Sequence, residues 1–195
     1  MDLELADYSL NRRLTGVPMS CRQQLLRGFT LIELIVVLSI AAIISALAAP
    51  SFADMIRNHR LTTQANDILS QLYYARTEAI RRGVQVSIRS TSNINSNWTS
   101  GWQIFADLDG DGQLDNGTDT LLRVREPLEG NYTLTSGNNY QTWLAYLPSG
   151  YPVSSAGLGN DTFTLCAGNN VNQARSITVN NTGRASIRDG VAACP

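Results

Sequence analysis

The sequence predicts an α+β protein: one long N-terminal helix, its first half transmembrane, packed on a C-terminal antiparallel β-sheet domain. Three observations carry this. An apolar run fills residues 29–49 with one acid in it, Glu33. Apolar residues then continue at gaps of three and four as far as Ala79, the spacing of one helix face. After Gly83 the period changes to two, and clusters of Gly, Asn and Ser separate short apolar runs. A helix followed by strands, without alternation of the two, belongs to the α+β class.

Residues 29–49 would rise roughly 31 Å as a helix, enough for a bilayer's hydrocarbon core. Two kinds of segment fit. One is a cleaved secretory signal, for which Ala46-Leu47-Ala48 could serve as the small-residue site. The other is an anchor that stays in the membrane. The run is longer than a usual signal core, and the helical pattern continues past Pro50, which favours the anchor. Glu33 fits neither simply, because a carboxylate at mid-membrane costs on the order of 3 kcal/mol even on the mildest scale.

Residues 50–82 read as an amphipathic continuation of the same helix, with a kink expected at Pro50. Phe52, Met55, Ile56, Leu61, Ala65, Ile68, Leu69, Leu72, Ala75 and Ala79 form the apolar stripe that should pack on a soluble domain. Glu78 and Arg82 make a favourable i,i+4 pair, and Gly83 is placed to end the helix. From residue 83 to 195 the strand candidates are "VQVSIRS", "GWQIFAD", "TLLRVRE", "NYTLTS", "QTWLAYL", "FTLC", "RSITVN" and "RASIR".

This stretch is rich in Gly, Asn, Ser and Thr and sparse in charge, as expected of a loop-rich extracytoplasmic domain. Cys166 and Cys194 lie near its end, and a late pair in an exported domain reads as a disulfide; the alternative is two buried thiols. The overall net charge of −1 favours no nucleic acid by itself.

The stretch "RGFTLIELIVVLSI", residues 27–40, resembles the prepilin signature of type IV pilins and of the pseudopilins of type II secretion. The soluble part is similar to the GspH/FimT (FimU-like) branch of that family. The pieces that carry this are "YARTEAIRRG", "GWQIFADLDGDGQLD" followed by "TLLRVRE", "YLPSGY" and "ITVNNTGRASI". The resemblance implies a leader of residues 1–28, cleavage between Gly28 and Phe29 by a prepilin peptidase, and N-methylation of Phe29. It further implies that Glu33 acts in assembly, paired with the new amine of a neighbouring subunit. The implied setting is an inner-membrane precursor with one span and its β domain in the periplasm. The implied partners are other pilins or pseudopilins in a filament and an inner-membrane assembly platform.

The leader departs from the pattern in its length and in Asp2, Glu4 and Asp7. A start at Met19 would give "MSCRQQLLRG", with Arg22, Arg27 and no acid, which agrees better with positive-inside logic. The expectation is that residues 1–18 are not translated.

Catalytic chemistry is not expected. His59 stands between Arg57 and Arg60 with no cysteine or acid at ligand spacing, and no Ser-His-Asp or Cys-His set can be assembled. In "DLDGDGQLD" the alternating Asp107, Asp109 and Asp111, then Gly112 and Asp115, follow part of a Ca²⁺ loop. The twelfth position is Thr118, so the bidentate Glu is missing, and the flanks read as strands. The favoured reading is a plain Asp/Gly turn without a cofactor, with Ca²⁺ as the alternative.

Some FimT-type minor pilins bind DNA through a C-terminal GRxR motif, and "TGRASIR" matches it in part through Gly183, Arg184 and Arg188. In a strand the two arginines share a face, about 13 Å apart, and Arg175 could join them in a basic patch. Against this, Arg89, Arg123, Arg125, Arg175, Arg184 and Arg188 meet nine acids from residue 83 onward, a net of −3. Nucleic-acid binding wants a basic face. The expectation is therefore a minor pilin or pseudopilin of a type II secretion system or type IV pilus, with a FimT-like DNA-binding pilin as the alternative.

Overall fold

The computed structural model describes residues 28–168, 171–191, 193 and 194, with the side chains of 48–51 outside the description. Residues 1–27 of the leader, with Met19, therefore fall outside it, as does the side chain of Pro50, where the kink is expected. The described chain is one α-helix followed by nine strands, with a 3₁₀ turn at Val171–Gln173 before β8: α1 (Leu31–Arg82), β1 (Gln85–Ser90), β2 (Trp102–Asp107), β3 (Thr120–Arg125), β4 (Tyr132–Ser136), β5 (Trp143–Tyr146), β6 (Pro152–Ser154), β7 (Asp161–Ala167), β8 (Ala174–Val179) and β9 (Ala185–Asp189). The chain divides into two compact units, one ending at Ser45 and one beginning at Ala46.

In the first unit the helix starts at Leu31, two residues after Phe29, and its apolar side chains are exposed throughout. In the second unit it ends where the sequence expects. Gly83 takes φ 72° and its amide bonds back to the Ala79 carbonyl at 3.0 Å. Glu78 receives Arg82 at 2.6 Å and also Arg81, one position away.

The strands form two antiparallel sheets, a division the sequence pattern does not reveal. One has the order β3-β2-β1-β5-β6 and the other β4-β7-β8-β9. Both pack on the same face of α1. Leu61, Ala65, Ile68, Leu72, Ala75 and Ala79 are buried there. Val86, Ile88, Ile104 and Leu144 meet them from the first sheet, and Leu134, Phe163, Leu165 and Ile177 from the second. Trp98, in the β1–β2 loop, ties the sheets together. Its indole N–H donates to the Tyr140 carbonyl at 2.9 Å, and its ring meets Phe163 edge-on at 5.1 Å.

Three members of the expected packing stripe do not join the core. Phe52, Met55 and Ile56 are exposed, and the buried stripe begins only at Leu61. β6 has no counterpart among the strand candidates. It is three residues long and opens on Pro152, tolerated because β6 is a sheet edge and needs no donor there.

Candidate functional site

The N-terminal segment is built by one cap. Thr30 lies just outside the helix, and its hydroxyl oxygen accepts the Glu33 amide at 3.2 Å. The Thr30 carbonyl accepts the Leu34 amide at 3.1 Å. This N-cap fixes Leu31 as the first helical residue and leaves the Gly28–Phe29 bond in non-helical, exposed backbone. A peptidase needs such backbone, because a helical bond is folded away from an extended binding cleft. Glu33 sits in the first turn, where the helix macrodipole favours a negative charge.

Beyond it the surface is almost wholly apolar. Ser39 and Ser45 donate to the carbonyls of Ile35 and Ala41 at 2.8 and 2.7 Å, so both hydroxyls are satisfied inside the helix. Among the described residues nothing hydrogen-bonds the Glu33 carboxylate. The helix is long and apolar enough to cross a membrane. An exposed apolar face of this size marks a membrane or protein interaction surface.

The Asp-rich loop is held from one buried carboxylate. Asp107 is 1% exposed. Its Oδ1 accepts the Gly110 amide at 2.7 Å, and its Oδ2 accepts Gly112 N at 3.0 Å, Gln85 Nε2 at 2.9 Å and Ser87 Oγ. Three of these donors converge on Oδ2 and one on Oδ1, so one carboxylate ties the loop backbone to the β1 side chains. Asp119 takes the amides of Leu108 and Asp115 at 3.0 and 2.9 Å, closing the loop.

Gly112 lies against Trp143, where a Cβ would come within 2.3 Å of the ring, and its carbonyl accepts Arg89 at 2.8 Å. The loop thus folds over the outer face of the five-stranded sheet, with Asp107 and Asp119 holding its backbone and Asp107 also joining it to Gln85 and Ser87 of β1. Asp109, Asp111 and Asp115 remain exposed, with carboxylate oxygens within 4.8 Å of one another. The Asp111 amide favours the Asp109 carboxylate, but desolvation, the charge of Asp111, the side-chain contact with Asp107 and the charge of Asp119 outweigh it and raise its pKa.

Of the C-terminal arginines, Arg188 stands on β9, an edge strand, and Arg184 in the turn just before it. Register places Thr135, Thr164, Ser176 and Arg188 in one cross-strand row and Thr162, Thr178 and Ser186 in another. Arg184 and Arg188 are exposed, and neither guanidinium has a partner among the described residues. Among the described residues, a hollow on the outer face of this sheet is lined by Thr162, Thr164, Ser176 and Arg188 together with the exposed Asp189.

Arg175 does not complete the patch that the sequence allows. It lies on the opposite face of the sheet, paired with Asp189 at 2.9 Å and donating to Thr62 Oγ1 of α1 at 3.2 Å. Gly183 has a packing reason of its own. It takes φ 77°, and a Cβ there would lie 2.3 Å from the Gly150 carbonyl oxygen. Arg76 of α1 donates to the carbonyls of Gly150 and Thr182 at 3.1 and 2.9 Å, and Tyr73 donates to that of Ala185 at 2.8 Å.

Cys166 and Cys194 are joined as a disulfide, with Cα atoms 5.9 Å apart. His59 is exposed on α1, and no metal-ligand set among the described residues includes it. Two functional details lay outside the sequence reading. Thr30 as the cap could have been found from the Thr30-x-x-Glu33 spacing. Asp107 as a buried hub had no sequence signal separating it from its neighbours.

Residues 27–49 match the prokaryotic N-terminal methylation motif, and residues 64–183 match the family described as type II transport protein GspH. Two crystal structures of the type IV minor pilin FimU of Pseudomonas aeruginosa share the fold. One superposes with a TM-score of 0.59 at 19% identity, covering 70% of this chain and 96% of that one. The other, in a second crystal form, gives 0.55 at 20% identity, covering 69% and 100%. No curated protein sequence matches the chain significantly.

Proposed function

The chain belongs to the GspH family of type II transport proteins, and we propose that it enters a filament through its N-terminal helix after cleavage at Gly28–Phe29. At the coarser level it is a minor pilin or pseudopilin, a structural subunit that carries the N-terminal methylation motif. In the finer reading a prepilin peptidase removes the leader in the inner membrane, Phe29 is methylated, and the periplasmic β domain rides into the filament on α1. An assembly platform in the same membrane receives the subunit. The filament is a type II secretion pseudopilus or a type IV pilus; the exposed apolar helix serves either.

The observation that carries this reading is the capped start of α1. Thr30 holds the helix two residues past the cleavage position, with Glu33 in its first turn and an exposed apolar face beyond. Glu33→Ala and Glu33→Leu variants should insert and be processed as the parent is. Their recovery in sheared filaments should fall by a factor of five or more, on the order of 1 kcal/mol in the assembly equilibrium. Parental recovery of either variant refutes the role of Glu33.

A second reading is supported by the two unpaired arginines at the edge of the four-stranded sheet. Arg184 and Arg188, set among Ser and Thr hydroxyls, are the donor types that contact phosphates. A salt-dependent gel shift with duplex DNA, lost in Arg184→Ala/Arg188→Ala, would support it. Each arginine should contribute about one unit to the salt slope. No shift at low salt removes this reading.

A further inference from the structure

The turn that leads into β3 carries the one Asn-Gly step in the sequence, Asn116–Gly117. Asp115, Asn116, Gly117 and Thr118 are all exposed. The turn is closed from both ends. The Asp119 amide donates to the Asp115 carbonyl at 3.0 Å, and the Asp119 carboxylate accepts the amides of Asp115 and Leu108 at 2.9 and 3.0 Å. At its tip Gly117 takes φ 97°, and a Cβ there would meet nothing within 4 Å.

Other asparagines of the domain are tied down and crowded. Asn180 Oδ1 accepts the amides of Thr182 and Arg184 at 3.1 and 2.9 Å and the Thr182 hydroxyl at 2.7 Å. Asn97 Oδ1 accepts the Thr99 amide at 3.0 Å, and Asn139 Nδ2 donates to the Asn160 carbonyl. The residues that follow these three are Asn181, Trp98 and Tyr140, whose side chains shield the next backbone nitrogen. The Asn116 side chain makes no hydrogen bond among the described residues, and the nitrogen after it belongs to a glycine.

This pairing sets a tethered nucleophile beside an electrophile, and proximity favours ring closure. Gly117 N attacks Asn116 Cγ. The N–Cγ bond forms, the Cγ–Nδ2 bond breaks, and ammonia leaves with the proton from Gly117 N. Water then opens the cyclic imide. Attack at the Asn116 backbone carbonyl gives isoaspartate, with the main chain running through Cβ and Cγ; attack at Cγ gives aspartate. Ammonia is exchanged for water, and nothing is oxidised or reduced. A glycine leaves the attacking nitrogen unshielded and the backbone free to reach the ring geometry.

We propose that Asn116–Gly117 is a site of spontaneous deamidation, and that the isoaspartate formed there opens the turn closed by Asp115 and Asp119. The product inserts a methylene into the main chain between these two residues and adds a carboxylate beside theirs. The longer chain draws the Asp119 amide off the Asp115 carbonyl, and like charge acts in the same direction. The hold of Asp107 on Gly110 and Gly112 lies outside this turn and persists. The chemistry needs neither membrane nor filament, so it stands apart from the assembly reading.

The test ages the purified full-length chain in detergent at neutral and at mildly alkaline pH. Peptide mapping by mass spectrometry follows each asparagine, and an isoaspartate-specific carboxyl methyltransferase counts the rearranged product. Asn116 should convert about tenfold faster than Asn97, Asn139 or Asn180. Conversion should quicken as the pH rises, because the attacking nitrogen must lose its proton, and isoaspartate should exceed aspartate. Gly117→Ala should slow it about tenfold. Chain enriched in isoaspartate by ion exchange should melt a few degrees below fresh chain, and Asn116→Asp, which adds the charge alone, should fall by less. The proposal is overturned if Asn116 converts no faster than Asn180, if aspartate forms without isoaspartate, or if Gly117→Ala converts at the parent rate. Equal melting of fresh and isoaspartate chains would overturn the opening of the turn, and an equal fall in Asn116→Asp would overturn the part assigned to the added methylene.

Discussion

Replacing Asp107 by Ala removes one carboxylate and leaves four donors without their acceptor. Two of them, Gly112 N and Ser87 Oγ, make buried hydrogen bonds, whereas those from Gly110 N and Gln85 Nε2 are partly open to water. A buried donor left unsatisfied costs about 1–3 kcal/mol, and a partly exposed one rehydrates at lower cost. The variant should therefore lose about 4 kcal/mol, a fall of roughly 12–20 °C in melting temperature for a domain of this size. Asp107→Asn keeps one acceptor oxygen but turns an amide N–H₂ toward donors, so it should lose about half as much. Asp109→Ala removes an exposed side chain and should stay within about 0.5 kcal/mol of the parent. Urea unfolding with Ca²⁺ and with chelator measures all three. A loss below about 1 kcal/mol in Asp107→Ala would refute the hub. A urea midpoint that falls with chelator, and no longer does so in Asp109→Ala, would give the loop to Ca²⁺ instead.

Three further outcomes follow from the same domain. Cys166→Ser/Cys194→Ser opens a loop with sequence separation 28, worth about 3.6 kcal/mol in the chain-entropy model; an unchanged urea midpoint would sink that value. Hydrogen bonds from Arg81, then Arg82, hold the Glu78 carboxyl down to about 2, against an ordinary 4.5. A depressed folded pKa means the stabilisation is complete above about pH 4.5 and lost as the pH falls toward about 2. The parent should therefore lose its advantage over Glu78→Gln across that window, and a constant difference would contradict the pairing. Gly183→Ala should cost about 2–4 kcal/mol through positive φ and collision with the Gly150 carbonyl. Arg184→Ala should be near neutral in stability, so equal losses would show that the two residues are not divided between packing and surface chemistry.

How much of this was legible in the sequence depended on whether the signal was local. Gly83, the Glu78–Arg82 pair, the helix stripe from Leu61 onward and eight of the nine strands each follow from residues within a few positions of one another. The partition into two sheets does not. β1 skips β4 to pair with β5, and β4 pairs with β7, choices made by packing on α1 and by Trp98 between the sheets. The pairing of Arg175 with Asp189 likewise depends on β8–β9 register, which decides the face on which every residue of the strand stands. Asp107 looked like its neighbours because burial, not spacing, separates it from Asp109. Gly183 looked like part of a binding motif, although its backbone angle and the approach of Gly150 already account for a glycine there.

Glu33 brings these strands of reasoning to one point. In the first turn of α1 its charge gains something from the helix dipole, about 0.3–1 kcal/mol. That does not offset a cost on the order of 3 kcal/mol for an acid held in hydrocarbon. The Thr30 cap satisfies the Glu33 amide but leaves the carboxylate unbonded among the described residues. Something outside the isolated chain has to complete the balance. While the leader is attached, the Phe29 nitrogen is an uncharged amide and cannot do so. Under the proposed processing, cleavage after Gly28 would turn that nitrogen into a cation that a neighbouring subunit could present to Glu33. On this reading the acid adds a register to helix packing that apolar surfaces alone leave free to slide. It also makes assembly conditional on processing, because the counter-charge exists only on cleaved subunits. The expected consequence is asymmetric: blocking cleavage and removing Glu33 should both depress filament entry, but combining them should depress it little further. A clearly additive loss, well beyond about 0.5 kcal/mol, would mean that the two act through separate contacts.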